Sequence, residues 1–264
     1  MKYRHMISAG ILACCATFSL TQAQPRPPAE PPPPQHPAIE PVALEMLKAA
    51  STRLASAKSL SFTVVTTYES PARNGQPLYY STLSQVTVQR PNKLRVITPG
   101  DGPASDFYYD GKTMMAYAPA ENLVAVAEAP PTLEAAMAQA YDKAAIYFPF
   151  AELIVSDPYK NLSDGLTSAF VVGQSHVVGD TITDIVALAN ENVQAELWIG
   201  INDGLPRVLR LAFPKDPARS SIEVQFSNWH LNAAVKDADF TSATALKAPR
   251  MQFVRPDAPL PAKP

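Results

Sequence analysis

The sequence is poor in the groups that thiol and metal chemistry require. It has only two cysteines, Cys14 and Cys15, and only four histidines in 264 residues. Both cysteines fall in an N-terminal apolar run, so we expect no disulfide framework in the rest of the chain. No cysteines or histidines have the spacing of a metal motif. The sequence therefore predicts neither a metal site nor a cofactor.

The chain also lacks a strong charge of either sign. Its 22 basic and 24 acidic residues give a formal net charge of −2 at pH 7. A protein that binds nucleic acid usually presents an excess of basic residues to the phosphates, and none is present. The sequence contains no glycine-rich dinucleotide loop and no Walker loop. We therefore expect no nucleic acid among the partners.

Few residues could serve catalysis. Of the histidines, only His176 and His230 lie in the part that is predicted to fold, and an enzyme would need them to meet Asp180 or Asp184 in a cleft. The segment 173–177, GQSHV, departs from a nucleophile elbow at its fifth position and joins two strands. Aspartates in a turn and a histidine at a strand end explain these residues without catalysis. No catalytic residue is predicted, and we expect no enzyme activity.

The N terminus has the features of a secretory signal peptide, predicted for residues 1–23. Lys2 and Arg4 precede an apolar run that ends in the small-x-small pattern TQA. A lipoprotein signal is the alternative, since ILAC resembles a lipobox, but the apolar run continues past Cys14. We expect cleavage after Ala23, export across the inner membrane to the periplasm, and no lipid anchor.

Proline is abundant, with 27 residues that lie mostly outside the predicted core. Residues 24–40 are rich in proline without apolar periodicity, which predicts a disordered, extended tether. Residues 254–264 are predicted to be a disordered proline-rich tail for the same reason. Residues 41–253 remain for one folded domain.

The domain alternates between two periodicities. Ala43, Leu47 and Leu54 recur at helical spacing and predict an N-terminal helix. After Leu60, alternating apolar and polar residues separated by turn signals predict about ten or eleven antiparallel strands, interrupted by a helical stripe over 133–148. The predicted fold class is α+β: a curved antiparallel half-barrel sheet whose concave face is covered by the N-terminal helix and the helical insertion.

The strands between Phe107 and Pro130 carry tyrosine, methionine, alanine and valine on both parities. This pattern has two interpretations. The helices fill the concave face completely and form an ordinary core, or they only cap it and leave an apolar cavity. For the cavity, the predicted lining residues are Phe62, Val64, Tyr80, Met115, Tyr117, Leu197 and Leu211 from the sheet, and Met137 and Tyr141 from the insertion.

Five stretches between Pro41 and Phe253, taken in order, resemble the fold of LolA and LolB, the bacterial periplasmic lipoprotein carrier and its outer-membrane acceptor. More specifically, the chain resembles a family of predicted periplasmic proteins of unknown function that shares this fold. The stretches are RPNKLRV (90–96), FYYDGKTMMAYAPAENLVAV (107–126), FPFAELIVSDPYKNL (148–162), ELWIGINDGLPRVLRL (196–211) and DADFTSATALKAP (237–249).

The resemblance implies a half-barrel with helices lying in its mouth as a lid, and no enzyme activity. In the carrier, the concave apolar surface holds acyl chains. Other relatives sense lipids or misfolded lipoproteins and pass the signal to a membrane partner. These expectations concern the concave face and its covering helices.

Two functional hypotheses follow. In the first, the chain is a periplasmic, non-enzymatic binding protein that holds an acyl chain or another hydrophobic ligand in an apolar cavity and acts in lipid or lipoprotein transport. In the second, it is an interaction or sensor module that docks a membrane or envelope protein in envelope signalling. In both cases we expect a monomer.

Overall fold

A computed structural model describes residues 38–100, 103–178, 181–216 and 221–255. The predicted signal peptide, nearly all of the predicted tether and residues 256–264 lie outside the described residues, and so does Asp180. The predicted helix, strands and helical insertion fall within the described ranges and are compared with the structure below.

One twelve-stranded sheet dominates the described residues, in the order β12-β6-β5-β4-β3-β2-β1-β11-β10-β9-β8-β7. Every neighbouring pair is antiparallel except the two-residue β12, which runs parallel to β6. The predicted antiparallel sheet is confirmed. The strands are β1 (Ser59–Pro71), β2 (Pro77–Gln89), β3 (Lys93–Thr98), β4 (Ser105–Tyr109), β5 (Thr113–Ala118), β6 (Leu123–Glu128), β7 (Ser168–Ser175), β8 (Thr183–Ala189), β9 (Gln194–Gly200), β10 (Pro206–Ala212), β11 (Ser221–Leu231) and β12 (Arg250–Met251).

Local sequence explains the longest hairpin, β1–β2. β-branched and aromatic residues alternate along both strands, which suits a half-buried pleated surface. At the turn, Gly75 adopts a φ of 81°, a conformation that glycine enters without steric cost. The Asn74 side chain accepts a hydrogen bond from the Gln76 amide at 3.1 Å. The turn therefore sets the register in which Tyr68 lies opposite Tyr80.

Side-chain N-caps begin three of the helices, α2, α4 and α5. Thr132 accepts from the Ala135 amide at 3.3 Å and begins α2, as the sequence indicates for an N-cap. The helix ends at Ala144, earlier than the stripe over 133–148 predicts, because Ala145 turns into the left-handed region at φ 55°. The helices are α1 (Pro41–Ala55), α2 (Leu133–Ala144), α3 (Ala151–Ile154), α4 (Pro158–Ser163) and α5 (Ala243–Lys247), with a 3₁₀ turn over Asp237–Phe240.

The sheet is covered on both faces, which explains why some strands are apolar on both parities. The main core lies between the concave face and α1 to α4, and Leu47, Leu54 and Leu153 bring helix side chains into it. A second cluster on the opposite face is covered by α5 through Ala245 and Ala248. Along β4 to β6, alternate side chains therefore enter different clusters. The sheet residues of the second cluster are Tyr108, Met115, Tyr117 and Val124.

Candidate functional site

The nine residues that the sequence predicts as cavity lining do not form one buried set. Tyr80 and Tyr141 are 45% and 50% exposed, respectively, and Tyr80 shares the strand face of Phe62 and Val64 but lies outside the core. The structure thus brings together five of the nine in or against the main core and leaves the other four outside it. Those five are Phe62, Val64, Met137 and Leu197, which are buried in the main core, and Leu211 at its margin; Met115 and Tyr117 lie in the second cluster on the opposite face.

Beneath α1 and α3 the concave face is filled by aromatic rings. The ring of Phe62 stacks on Trp229 with centroids 4.3 Å apart and meets the edge of Phe150 at 5.7 Å. Phe226 completes the group at 6.0 Å from Phe62. Rings at these separations are in packing contact, so this part of the face is an ordinary core.

Beneath α2 the concave face is lined by large and small apolar side chains together. We call these sheet residues the concave floor: Phe107, Tyr109, Met114, Ala116 and Ala127, all of which belong to or pack against the main core. The residues that α2 buries in the same cluster are Leu133, Ala136, Met137 and Ala140. Two of these four residues are alanines, whose short side chains make few contacts with the floor.

One end of the floor is fixed by Tyr109. Its hydroxyl donates to the Pro130 carbonyl oxygen at 2.5 Å, directly before α2. Burial, with the nearby charges of Asp110 and Glu134, raises the pKa of Tyr109 to about 12. The phenol therefore keeps its proton and remains a hydrogen-bond donor at the start of the helix.

A carboxylate latch connects α2 to the segment after α3. The Ser156 amide and hydroxyl both donate to Glu134 Oε1 at 2.5 Å. Burial alone would raise the pKa of Glu134, but these hydrogen bonds from Ser156 outweigh it and the pKa is lowered. Elsewhere on α2, Gln139 Nε2 donates to the Glu128 carbonyl at 2.6 Å. Polar contacts near the surface thus add to the apolar packing that attaches α2.

A second polar link joins the sheet to the covering helices through Arg90, which follows β2. Its Nη1 donates to the Val155 carbonyl at 2.5 Å and its Nη2 to the Leu54 carbonyl at 3.4 Å. Burial lowers the pKa of Arg90, and the charge of Glu134 opposes this effect. Sequence reasoning assigned Arg90 no role, because a single arginine before a proline carries no periodic signal.

The residues considered for catalysis do not form a cleft in the described part of the chain. The His230 ring nitrogen Nδ1 lies 2.8 Å from the Asn228 carbonyl, on an exposed strand end. Asp184 accepts from Gln174 Nε2 at 3.0 Å across β7 and β8. Among the described residues, no group of three or more His, Cys, Asp or Glu side chains is placed to hold a metal ion.

An apolar-lined groove lies along β7 to β10. Its volume is about 450 Å³, and Phe170, Ala187 and Arg210 border it. Leu211 also borders this groove, whereas the other eight predicted residues border neither it nor the two grooves beside Tyr79 and beside Arg90. None of the helices in those ranges reaches the length and apolarity needed to cross a membrane.

A family model described as "Predicted periplasmic protein (DUF2092)" matches residues 43–254. No curated protein matches the chain. Among solved structures, a LolA superfamily protein from Nitrosomonas europaea is 10% identical, with 76% of this chain and 97% of that chain covered at a TM-score of 0.39. LprF from Mycobacterium bovis is 17% identical, with 75% and 96% covered at a TM-score of 0.44.

The MucA/MucB complex of Pseudomonas aeruginosa contains a further similar chain. It is 16% identical, with 77% of this chain and 62% of that chain covered, at a TM-score of 0.43. This chain thus spans less than two thirds of that relative. Identities and TM-scores of this size are too low to transfer a ligand or a partner between proteins.

Proposed function

We propose that this chain, which belongs to the family of predicted periplasmic proteins (DUF2092), is a non-enzymatic binding protein that holds an acyl chain or a similar hydrophobic ligand between α2 and the concave floor. The family match confirms the resemblance seen in the sequence and the predicted periplasmic location. The observation that supports the proposal is that α2 covers the concave floor with only four buried residues, two of them alanines, and is also held by hydrogen bonds near the surface.

Displacing α2 would uncover an elongated apolar surface bounded by large side chains. Phe107 and Phe148 lie at one side of it, with ring centroids 5.2 Å apart. Burying about 300 Å² of acyl surface at about 25 cal/mol per Å² contributes roughly 7 kcal/mol, near the roughly 8 kcal/mol of a micromolar complex. A ligand that takes the place of α2 on the concave floor would therefore not have to displace the aromatic rings under α1 and α3.

The first test measures acyl binding with matched variants on α2. The unaltered chain should bind a fluorescent fatty acid with a dissociation constant on the order of micromolar. Met137→Glu should weaken binding at least about tenfold, because it places a carboxylate in the apolar layer. Ala138→Glu adds the same charge at an exposed position one residue away and should leave the dissociation constant unchanged. Fluorescence titration gives the three constants, and far-UV circular dichroism checks that each variant is folded.

The proposal fails if the unaltered chain binds no fatty acid at micromolar concentrations and carries no extractable lipid when purified from the periplasm. It also fails if Met137→Glu and Ala138→Glu bind equally well. In that case the ligand does not contact the layer between α2 and the concave floor.

A second candidate function is docking of a protein partner at the end of α2. Tyr141 and Tyr147 are about half exposed, and their ring centroids lie 6.0 Å apart. Paired exposed aromatic rings are typical of interface centres. A pull-down from envelope extract that recovers one dominant protein and no lipid, and that loses it with Tyr147→Ala, would favour this function.

The Glu134 latch gives the proposed site a pH dependence with a defined sign. Because the pKa of Glu134 is lowered in the folded chain, the latch is fully formed above the ordinary carboxyl pKa and is lost as the pH falls through the lowered value. Hydrogen exchange of the α2 amides, corrected for intrinsic rates, should therefore accelerate between about pH 5 and about pH 3.

The matched variants separate the latch from general acid effects. Glu134→Gln should remove most of the acceleration and leave α2 open more often at neutral pH. Asp142→Asn, at an exposed position on the same helix, should behave like the unaltered chain. An unchanged pH profile in Glu134→Gln would show that the carboxylate does not control α2.

A further inference from the structure

The sheet has a third edge besides its two terminal strands. β2 spans Pro77–Gln89 but pairs with β3 only over Gln85–Gln89. Its first half pairs with β1 on one side only. We call Leu78–Leu83 the open edge of β2. At about 3.4 Å per residue, these six residues extend about 20 Å.

The edges of the two terminal strands are covered by segments of the same chain. On β7, the Ala169 amide donates to the Ala38 carbonyl at 2.8 Å and its carbonyl accepts from the Glu40 amide at 2.7 Å. The Glu40 carboxylate then accepts from the Val171 amide at 3.0 Å, and the register shifts between Val171 and Gly173. At the opposite end, β12 covers β6. The covering segment and bulge on β7, and β12 on β6, hinder the addition of another strand at these two edges.

Within the ranges that the structure describes, no segment pairs with the open edge of β2. No charged residue occurs from Gln76 to Gln89. Tyr79 is 70% exposed, and Leu83 is 40% exposed. Natural edge strands commonly carry lysine, an internal proline or a bulge, because an uncharged edge with high β propensity is a template for further pairing. The exposed run LYYSTL therefore has the composition of an interface strand.

The hydrogen-bonding register shows which backbone groups face outward. The Ala72 amide donates to the Gln76 carbonyl at 2.8 Å, and the Arg90 amide donates to the Lys58 carbonyl at 2.9 Å. Bonded pairs alternate along an antiparallel ladder, so the even-numbered residues of β2 bond to β1. The amides and carbonyls of the odd-numbered residues point away from β1. On the open edge these residues are Tyr79, Ser81 and Leu83.

We propose that a second copy of this chain pairs with the open edge of β2, antiparallel and about a twofold axis at Ser81. In this arrangement Ser81 lies opposite Ser81 of the second copy, and Tyr79 lies opposite Leu83. Each of the three outward-facing residues donates one backbone hydrogen bond and accepts another. The tyrosine–leucine pairs are favourable cross-strand neighbours, and no like charges meet.

The symmetry of the edge is the reason for choosing a second copy as the occupant. In an isologous interface the run must be complementary to its own reverse, and the backbone groups of any antiparallel edge meet this condition. Here the side chains meet it as well, because Tyr79 lies opposite Leu83, Ser81 lies opposite itself, and no charges are opposed. The proposal is independent of acyl binding and replaces the expectation of a monomer with that of a weak dimer.

The test is sedimentation of the purified chain over a concentration series. We expect a reversible monomer–dimer equilibrium with a dissociation constant on the order of 100 μM, as for a small interface. Ser81→Lys should raise this constant at least about tenfold, because two ammonium groups meet at the axis. Ser81→Pro should do the same by removing an outward amide, which an edge strand tolerates. Gln225→Lys, at an exposed position of β11 that pairs with both β1 and β10, should have no effect.

Hydrogen exchange provides a second measurement on the unaltered chain. The amides of Tyr79, Ser81 and Leu83 should become protected as the concentration rises, while the thermal stability of the variants checks their folding. A chain that stays monomeric across the series overturns the proposal. A dimer that Ser81→Lys and Ser81→Pro leave intact also overturns it, as does protection of these amides by a co-purified peptide in a monomer.

Discussion

Phe62→Ala should lower the free energy of unfolding by about 3–5 kcal/mol, the largest effect we expect from a single substitution in this chain. Phe62 is 3% exposed and contacts the rings of Phe150, Phe226 and Trp229. Removing its ring leaves a cavity whose walls come from the sheet and from the segment before α3, so they cannot all collapse inward. Denaturant unfolding monitored by tryptophan fluorescence measures the change.

The same measurement distinguishes a filled concave face from a hollow one. Tyr80→Ala removes a ring that is 45% exposed and stacks only on Tyr68, so we expect a loss of about 1 kcal/mol or less. Phe62 and Tyr80 were both predicted as cavity lining. A loss below about 1 kcal/mol for Phe62→Ala as well would mean that the space around Phe62 is loosely packed. The ligand site would then extend under α1 and α3.

Much of the architecture could be predicted because its signals are local. The helical spacing of Ala43, Leu47 and Leu54 marks α1, and alternation with turn residues marks the strands. The same reasoning could not assign Met114 and Met115 to faces. Both faces of β5 are buried, so both parities are apolar and the alternation disappears. The cause is α5, whose five residues are too short to show a helical period in the sequence.

The polar contacts around the candidate site could not be predicted, because they join residues that are far apart in the sequence. Arg90 meets carbonyls 36 and 65 residues away, and Glu134 meets Ser156 across 22 residues. Charged side chains of this kind resemble ordinary surface residues when they are read along the chain. The open edge of β2 is hidden for the same reason, because its outer side is unpaired only as a consequence of where β3 ends.

Arg90→Met should lower the free energy of unfolding by about 2 kcal/mol and should raise hydrogen exchange in α3 and α4 more than in the sheet. Methionine fills much of the volume of the side-chain stem but removes the Arg90 donor from the Val155 carbonyl, whereas the Leu54 carbonyl keeps its bond from the Ala57 amide at 3.3 Å. Burial of the guanidinium, which lowers its pKa, is relieved by the substitution and offsets part of the loss. The net effect is therefore smaller than for the Phe62 cavity, but it acts at the junction of sheet and helices.

Arg210→Met is the matched control for this measurement. The Arg210 side chain is 55% exposed, and its nearest contacts to Glu196 and Glu223 are both 3.7 Å. Ion pairs of this exposure contribute about 0–1 kcal/mol, so stability and exchange should hardly change. An Arg90→Met chain as stable as this control, with α3 and α4 equally protected, would mean that apolar packing alone holds the helices on the sheet. Opening of the concave face would then have to begin at α2 and its Glu134 latch, without any contribution from Arg90.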